Sequence, residues 1–348
     1  MRPVSVLIVD DSAFIRQMLN EMLASDPSIK VIGTASDPLE AREKIKQLNP
    51  DVLTLDVEMP KMDGLTFLEK IMSLRPMPVI MISTLSGKGT DVAIRALQIG
   101  AVECIAKPLQ NTEAALAEFS RELCYKVKQA AGARVNSRTI SPQPVTSNGR
   151  DKVRRLLPSA PKLIAIGAST GGVETLTEIL PHLPANCPPI VITQHMPPVF
   201  TASFANRISA MCAFPVYEAA QGMELKNGMA CIAAGATHLK IIYKAGKLTC
   251  KVTDGPPINN HKPSVDVMFD SVVEELGDNA LGIILTGMGK DGADGLLRLK
   301  EVGAHTIGQN EATCVVYGMP QAAYKVGAVA EVLALPAIPA AIIKRCFA

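Results

Sequence analysis

Tryptophan is absent from the 348-residue sequence, and aromatic rings are limited to 5 Tyr and 8 Phe. Positive charge exceeds negative charge only slightly, because 35 Lys and Arg stand against 33 Asp and Glu. The basic side chains that do cluster lie in a Ser-, Pro- and Asn-rich segment, residues 131–160. Proteins that bind nucleic acid usually combine a basic folded face with aromatic side chains that stack on bases. We therefore expect no nucleic-acid partner.

Long apolar runs and paired cysteines are also missing. No window approaches the roughly 18 uninterrupted apolar residues of a membrane span. The chain runs from Met1 directly into a strand pattern, without the apolar core of a signal peptide. The 8 cysteines form neither a CxxC motif nor a Cys/His set at zinc spacing. We expect free thiols, no membrane insertion and a cytoplasmic location.

Short apolar runs recur through the first half of the chain, and segments with helical periodicity separate them. Continuous Val, Ile and Leu, rather than alternation, is typical of parallel strands that are buried on both faces. The pattern predicts an α/β fold with a doubly wound, five-stranded parallel sheet over residues 1–128. The five runs lie at 4–9, 31–34, 52–55, 79–82 and 102–105.

Residues 129–157 lose this periodicity and are rich in Ser, Pro, Asn, Gly and Arg, which is typical of an interdomain linker. Strand-like runs resume in residues 158–348 and predict a second doubly wound, mostly parallel α/β domain. Two alternating runs within 240–252, joined by the turn-like sequence KAGK, predict a small antiparallel hairpin. The parallel runs include 163–166, 190–193, 229–233 and 281–285.

Polar side chains follow the predicted strands of the first domain. Asp10 and Asp11 follow the first strand and Asp56 follows the third. Ser83 ends the fourth run, and Lys107 comes after the fifth. The carboxyl ends of parallel strands meet at one edge of a sheet, where crowded carboxylates favour a hard cation such as Mg²⁺. Such a metal neutralises charge while an aspartate attacks phosphorus.

The first domain resembles the receiver domain of two-component response regulators. The resemblance rests on the acidic pair, the segment LTLDVEMPKMDG, the hydroxyl side chain and the Lys-Pro pair. The resemblance covers residues 1 to about 125 and implies that a histidine kinase phosphorylates Asp56. It also implies that the Lys107–Pro108 peptide bond is cis, as is usual in receivers. The implied site consists of Asp11, Asp56 and the Glu58 carbonyl around Mg²⁺ with Asp10 nearby, and of Ser83 and Lys107 on the phosphoryl oxygens.

A glycine-rich turn, GASTGG, follows the first strand of the second domain and contains Ser169. It fits either a dinucleotide-binding turn or a nucleophile elbow, in which GxSxG exposes a serine at a helix start. A dinucleotide site needs an acid after the next strand to bind the ribose, but this chain has Gln194 and His195 there. An imidazole suits a general base, so the pattern favours a Ser169–His195 pair. None of the other histidines directly follows a predicted strand; His261, for example, lies in a polar loop.

An acid that would orient His195 is expected after another buried strand, in the loop TGMGKDGADG. Asp291 and Asp294 are both candidates. The spacing favours Asp291, because Asp294 suits the N-cap of the following helix, although Asp291 also fits a turn residue. Backbone amides of Thr170 and of the Gly-Met-Gly sequence in this loop could form an oxyanion hole.

The second domain resembles the catalytic domain of the chemotaxis protein-glutamate methylesterase/glutamine deamidase (CheB-like) family. The resemblance rests on four segments: GASTGG, ITQHMP, HKPSVDVMF and LTGMGKDGADG. The resemblance implies a Ser169, His195 and Asp291 triad without a cofactor, and an oxyanion hole that includes the Met288 amide. It implies hydrolysis of glutamyl methyl esters, and deamidation of glutamines, on methyl-accepting chemoreceptors during sensory adaptation. The expected partners are those receptors and a chemotaxis histidine kinase, and we expect a monomer.

Two other classes of protein fit the sequence less well. A non-catalytic regulator with a DNA-contacting module is disfavoured, because no helix-turn-helix with a basic recognition helix follows the linker. A nucleotide-binding oxidoreductase is disfavoured, because His195 stands where an acid for the ribose is required.

Overall fold

The computed structural model describes residues 2–59, 62–83, 87–108, 112–135 and 154–348, with the backbone alone at 87–89. The chain divides into two compact units, Met1–Ser141 and Pro142–Ala348. Among the described residues, no helix is both long and apolar enough to cross a membrane. The 8 cysteines are free, and all except Cys212 are buried.

Five parallel strands form the sheet of the first unit, in the order β2-β1-β3-β4-β5. Every residue of β3 and β4 is buried, which explains why both strands are almost entirely apolar. The prediction of a doubly wound, five-stranded sheet is confirmed. The elements are β1 (Val4–Val9), α1 (Ala13–Ala24), β2 (Ile29–Ala35), α2 (Pro38–Leu48), β3 (Val52–Asp56), α3 (Gly64–Leu74), β4 (Val79–Ser83), α4 (Gly87–Ile99), β5 (Glu103–Ala106) and α5 (Glu113–Ala130).

Short polar side chains begin most helices of this unit. Each accepts a hydrogen bond from a backbone amide in the first turn, where helix amides have no partner within the helix. These caps end the strand-to-helix connections within a few residues of the sheet edge. The capping residues are Ser12, Asp37, Asp63 and Thr112.

The second unit is built on a parallel sheet of seven strands, in the order β15-β14-β13-β6-β7-β10-β8. Its strands are β6 (Leu163–Ala168), β7 (Ile190–Gln194), β8 (Val216–Glu218), β10 (Ala230–Ile232), β13 (Ala280–Ile284), β14 (His305–Gln309) and β15 (Glu331–Leu333). Its helices are α6 (Gly172–Ile179), α7 (Pro198–Ser209), α8 (Val265–Leu276), α9 (Ala293–Glu301), α10 (Met319–Lys325) and α11 (Ile338–Cys346).

The predicted hairpin is also present. Strands β11 (His238–Lys244) and β12 (Lys247–Thr253) pair antiparallel, and Ala245 and Gly246 form the turn between them. A two-residue strand, β9 (Glu224–Leu225), adds to β12. The sequence did not predict β8, β9 and β15, whose two or three residues carry no measurable periodicity.

Helix α8 lies over the central strand β6 at its carboxyl end. A Cβ on Gly167 in β6 would come within 2.3 Å of the Val265 side chain, so the absence of a side chain lets the first turn of α8 approach the strand. Met268, Phe269 and Val272 on the same helix are fully buried. The amino end of α8 is therefore held at the sheet edge where the predicted functional residues lie.

Candidate functional sites

An acidic cluster lies at the carboxyl edge of the first sheet. Asp10, Asp11 and Asp56 each offer a carboxylate oxygen, and these oxygens lie within 4.8 Å of one another. Asp10 and Asp56 are buried, whereas Asp11 is exposed. The Lys107 Nζ is 2.9 Å from Asp10 Oδ2 and 2.9 Å from Asp56 Oδ2. The structure thus brings four of the predicted residues together.

Charge in this cluster is only partly balanced. Burial raises the pKa of Asp56 to about 6, with the charge of Lys107 opposing this increase and that of Asp10 adding to it. Burial alone would lower the pKa of Lys107, but the charges and hydrogen bonds of Asp56 and Asp10 raise it above its ordinary value. Lys107 therefore faces several carboxylates, and among the described side chains this leaves a local excess of negative charge.

The other predicted residues of this site lie at the same sheet edge. Ser83 is buried at the end of β4, where its partner in β5 is Ala106, and its carbonyl accepts a hydrogen bond of 2.8 Å from the Lys107 amide. Glu58 is exposed, two residues beyond β3. The expectation of a cis Lys107–Pro108 peptide bond is wrong: within the described ranges the cis bond is Lys262–Pro263.

Gly64, at the start of α3, packs directly on the backbone of Asp56. A Cβ there would lie 2.1 Å from the Asp56 carbonyl oxygen. We expect Gly64→Ala to lower the free energy of unfolding of the first unit by roughly 1–3 kcal/mol, because the strand end or the helix start must shift. Urea denaturation measures this loss. Gly132→Ala is the control, since its Cβ would come no closer than 3.6 Å to the Gln129 carbonyl oxygen. Equal stability of both variants would contradict the close approach.

In the second unit, Ser169 and His195 follow two paired strands. Ala168 at the end of β6 is paired with Gln194 at the end of β7, and the His195 amide donates a hydrogen bond of 3.1 Å to the Ala168 carbonyl. The buried Gln194 Nε2 donates to the backbone carbonyls of Ser169, at 2.9 Å, and of His195, at 3.1 Å. The register and this amide hold the serine and the histidine at the same edge of the sheet.

Asp291 reaches the same edge from the loop after β13, on the other side of β6. Its Oδ2 lies 2.8 Å from His195 Nε2. It is fully buried at the amino end of α8, where it accepts hydrogen bonds from Ser264 Oγ, at 2.8 Å, and the Val265 amide, at 2.7 Å. A helix amino end stabilises negative charge. Asp294 is exposed in the first turn of α9, so the structure brings Asp291, and not Asp294, to His195.

The protonation of this pair follows from its surroundings. Burial alone would raise the pKa of Asp291, but the hydrogen bond and charge of His195, together with the Asn259 and Val265 donors, hold it below its ordinary value. Asp291 is therefore a carboxylate, and His195 Nε2 carries the hydrogen that it accepts. His195 Nδ1 is buried and has no hydrogen-bond partner in the described part of the chain. In the neutral imidazole this nitrogen has a lone pair and can act as a base.

The loop that follows β13 contacts Ser169. A Cβ on Gly287 would lie 2.7 Å from the Ser169 Cβ, so the loop backbone approaches the serine closely. The Met319 amide donates a hydrogen bond of 2.8 Å to the Gly287 carbonyl and fixes this approach. Met288 is half-buried in the same loop, and Thr170 is buried directly after the serine. The two predicted oxyanion-hole residues therefore lie on the two backbone segments that adjoin Ser169.

His261 lies in a loop, as predicted, but the loop brings it to His195, which the sequence did not predict. Its ring stacks on that of His195, with 3.7 Å between ring centroids and an interplanar angle of 9°. His261 belongs to HKPSVDVMF and Gln194 to ITQHMP, so each of these segments contributes a further side chain to the site. Local spacing does not show that either side chain reaches the site.

His195, His261 and Asp291 offer ligand atoms within 4.8 Å of one another, as a metal site would. Imidazole lone pairs lie in the ring plane, so two parallel stacked rings direct them along separate lines and not towards one ion. The Asp291 oxygens already accept several hydrogen bonds. The arrangement therefore suits proton transfer better than metal binding.

The fold and the two sites define a response regulator in which a receiver domain precedes an α/β enzyme domain with a serine, a histidine and a buried aspartate. Residues 6–117 match the response regulator receiver domain family, and residues 164–342 match the CheB methylesterase family. The chain belongs to the CheB methylesterase family.

Curated relatives match almost the whole chain. A protein-glutamate methylesterase/protein-glutamine glutaminase of Rhizobium johnstonii is 51% identical over 344 residues, which cover 98% of this chain and 96% of the relative. A protein with the same name from Pectobacterium atrosepticum is 49% identical over 337 residues, covering 96% and 95%. The crystal structure of the Thermotoga maritima CheB methylesterase catalytic domain has a TM-score of 0.52 and 40% identity, and covers 53% of this chain and 98% of that domain.

Proposed function

We propose that this protein hydrolyses glutamyl methyl esters, and deamidates glutamines, on methyl-accepting chemoreceptors, and that phosphorylation of its receiver domain activates it. The observation that carries the hydrolytic part is the contact of 2.8 Å between His195 Nε2 and the buried Asp291, at the sheet edge where Ser169 follows β6. This contact orients the histidine and leaves its second nitrogen as a base.

In the proposed reaction, Ser169 Oγ attacks the side-chain carbonyl carbon of a methylated glutamate while His195 Nδ1 takes the hydroxyl proton. Asp291 stabilises the imidazolium that forms. The backbone amides of Thr170 and Met288 donate hydrogen bonds to the tetrahedral oxyanion. Collapse breaks the bond to the methoxy oxygen, and methanol leaves with the proton from His195.

Water then cleaves the acyl-enzyme. His195 removes a proton from the water as its oxygen attacks the acyl carbon, and it returns that proton to Ser169 Oγ as the glutamate is released. Glutamine follows the same path with ammonia as the leaving group, so one site serves both reactions. No step requires a cofactor at this site.

The receiver site fits Mg²⁺, because its donors are carboxylate oxygens and its excess negative charge favours a hard cation. Asp10, Asp11, Asp56 and the Glu58 carbonyl would hold the metal. When bound, it neutralises charge during transfer of a phosphoryl group to Asp56. A histidine kinase is the proposed donor. Ser83 and Lys107 would donate hydrogen bonds to the new phosphoryl oxygens, and their rearrangement would transmit the signal.

The domain limits proposed from the sequence are 1–128 for the receiver, 129–157 for the linker and 158–348 for the methylesterase domain. Most of the linker, 136–153, lies outside the described residues. The monomeric state and the identity of the receptors and kinase stay predictions.

The direct test is methanol release from methylated receptor membranes, measured with purified protein in the presence and absence of a small-molecule phosphodonor and Mg²⁺. We expect release in both conditions and a higher rate with the phosphodonor. If folded protein released no methanol from a competent substrate in either condition, the hydrolytic proposal would be wrong. The assignment of the first domain as a receiver would be unaffected.

Asp56→Asn is expected to keep basal methanol release and to lose the stimulation by phosphodonor and Mg²⁺. The amide is nearly the same size as the carboxylate but cannot attack phosphorus. Methanol release and phosphoprotein formation would be measured together. Asp26→Asn is the matched control, because Asp26 pairs with Lys128, outside the acidic cluster. Full stimulation of the Asp56→Asn variant would contradict Asp56 as the phosphoryl acceptor.

A further inference from the structure

A tight turn carries two side chains to the hydrolytic site. Ile258 and His261 exchange both backbone hydrogen bonds, at 3.0 and 2.9 Å. Between them, Asn259 and Asn260 have φ angles of 50° and 64°. Two consecutive left-handed residues define a turn of the kind that favours Asn and Gly, because other side chains are strained there. The turn therefore has a defined shape, and the side chains of Asn259 and His261 project from fixed points.

The Asn259 amide bridges two buried carboxylates. Its Nδ2 lies 2.7 Å from Asp266 Oδ2 and 3.0 Å from Asp291 Oδ1. An amide nitrogen carries two hydrogens, so it can donate to both acids at once. The opposite oxygen of Asp266 accepts a hydrogen bond of 2.7 Å from the Gly295 amide. Asp266 is thereby fixed from both sides, and Asp291 is tied to it.

This bridge resolves an electrostatic conflict. Burial raises the pKa of Asp266 to about 6, and the charge of Asp291 adds to this increase although the Gly295 amide opposes it. At neutral pH, Asp266 therefore carries substantial negative charge beside the Asp291 carboxylate. The two negative charges repel each other, and this repulsion would turn the Asp291 carboxylate away from His195, Ser264 and Val265. A donor shared between the two acids opposes that displacement.

The other end of the turn contacts the base. The stacking of His261 on His195 restricts the tilt of the His195 ring, while the hydrogen bond to Asp291 fixes its rotation within the plane. One turn therefore holds the acid through Asn259 and the base through His261. Neither side chain belongs to the proposed triad.

We infer that Asn259 and His261 are positioning residues for ester hydrolysis: Asn259 holds Asp291 in the orientation that His195 requires, and His261 holds the plane of the His195 ring. The inference rests on the proposed roles of Ser169, His195 and Asp291. Small displacements of a catalytic group lower its rate steeply, so loss of either contact should act on the chemical step rather than on substrate binding.

Asn259→Gly tests the bridge, because glycine adopts the left-handed backbone of the turn and removes only the side chain. Asn260→Gly is the matched control: it makes the same exchange at the next left-handed position, where the side chain is exposed. Ser169 would be labelled with a fluorophosphonate. The final amount of label counts competent sites, and the rate constant of labelling reports the reactivity of the serine.

We expect Asn259→Gly to lower the labelling rate constant and kcat for methanol release by about 10- to 100-fold, with full final labelling and KM within about twofold. Asn260→Gly should match the parent protein. A merely structural role of Asn259 would instead reduce the final amount of label and leave the rate constant unchanged, which would overturn the inference. Equal losses in both glycine variants would also overturn it.

His261 is tested by a pair of substitutions. His261→Ala removes the stacked ring and should lower the labelling rate constant about tenfold, whereas His261→Phe restores a stacking face and should recover most of it. Parental rates in His261→Ala would overturn the role of this residue. Ser169→Ala distinguishes a failure of the proposed function from a failure of this inference. If Ser169→Ala still released methanol, the triad would be wrong. An inactive Ser169→Ala beside a fully active Asn259→Gly would overturn only this inference.

Discussion

Ser169→Ala is expected to lower the rate of methanol release from methylated receptor membranes by roughly 10⁴-fold or more, to the limit of detection. The hydroxyl oxygen is the proposed nucleophile. Alanine at this position leaves His195 without the hydroxyl from which it would take the proton. Methanol would be quantified over time at saturating substrate.

The control for this substitution is Ser159→Ala, which changes an exposed serine in the same unit and should leave methanol release unchanged. Phosphorylation provides an internal control, since Ser169→Ala should still form phosphoprotein at Asp56. Methanol release by the Ser169→Ala variant at the parental rate would show that another group is the nucleophile and would remove the basis of the proposed mechanism.

Asp291→Asn is expected to lower kcat for methanol release by roughly 10³- to 10⁴-fold. An asparagine has one acceptor oxygen where the aspartate has two. The aspartate uses both oxygens, one facing His195 Nε2 and the Val265 amide and the other facing Ser264 Oγ. If the asparagine nitrogen turned to His195, the imidazole would be held in the wrong tautomer, with its hydrogen on the nitrogen that must act as base. If the nitrogen turned to Ser264, the helix end would lose an acceptor.

Asp294→Asn makes the same chemical change three residues away, at an exposed position in the first turn of α9. We expect it to retain parental kcat. The comparison tests the preference for Asp291 over Asp294. A large loss of activity in Asp294→Asn together with parental activity in Asp291→Asn would contradict the assignment. Thermal unfolding of both variants would separate a loss of reactivity from a loss of folded protein.

Much of the fold was predictable because its signals are local. Strand β3 is buried over its whole length and is apolar except for Thr54 and the final Asp56. The apolar run therefore predicts the strand, and the aspartate predicts where it ends. The hairpin of β11 and β12 was predictable for the same reason, since a turn sequence lies between two alternating strands. Strand β8 was not predictable, because three residues do not define a period and its place beside β10 depends on residues distant in the chain.

The acidic cluster of the receiver and the position of Ser169 and His195 after two adjacent strands were predictable from strand ends alone. Parallel strands bring their carboxyl ends to one edge, so a residue directly after a strand has a position that topology determines. Ala168 and Gln194 are register partners in adjacent strands, which is why the residues that follow them are neighbours. Prediction of the Lys107–Pro108 bond failed, because the choice between cis and trans proline depends on surroundings that the dipeptide does not encode.

The sequence by itself determined the two α/β units, the acidic edge of the receiver, and the serine and histidine at the ends of β6 and β7. These features were predictable because a few adjacent residues are enough to show a burial pattern or a turn pattern. Only the tertiary structure showed which groups hold Asp291 against His195, and only it brought Asn259 and His261 to the site. These features depend on contacts between residues far apart in sequence: the amino end of α8 stabilises the Asp291 carboxylate, and a left-handed turn directs the Asn259 and His261 side chains to Asp291 and His195. Hydrogen bonds and stacking of this range form only after the chain has folded, so no local pattern predicts them.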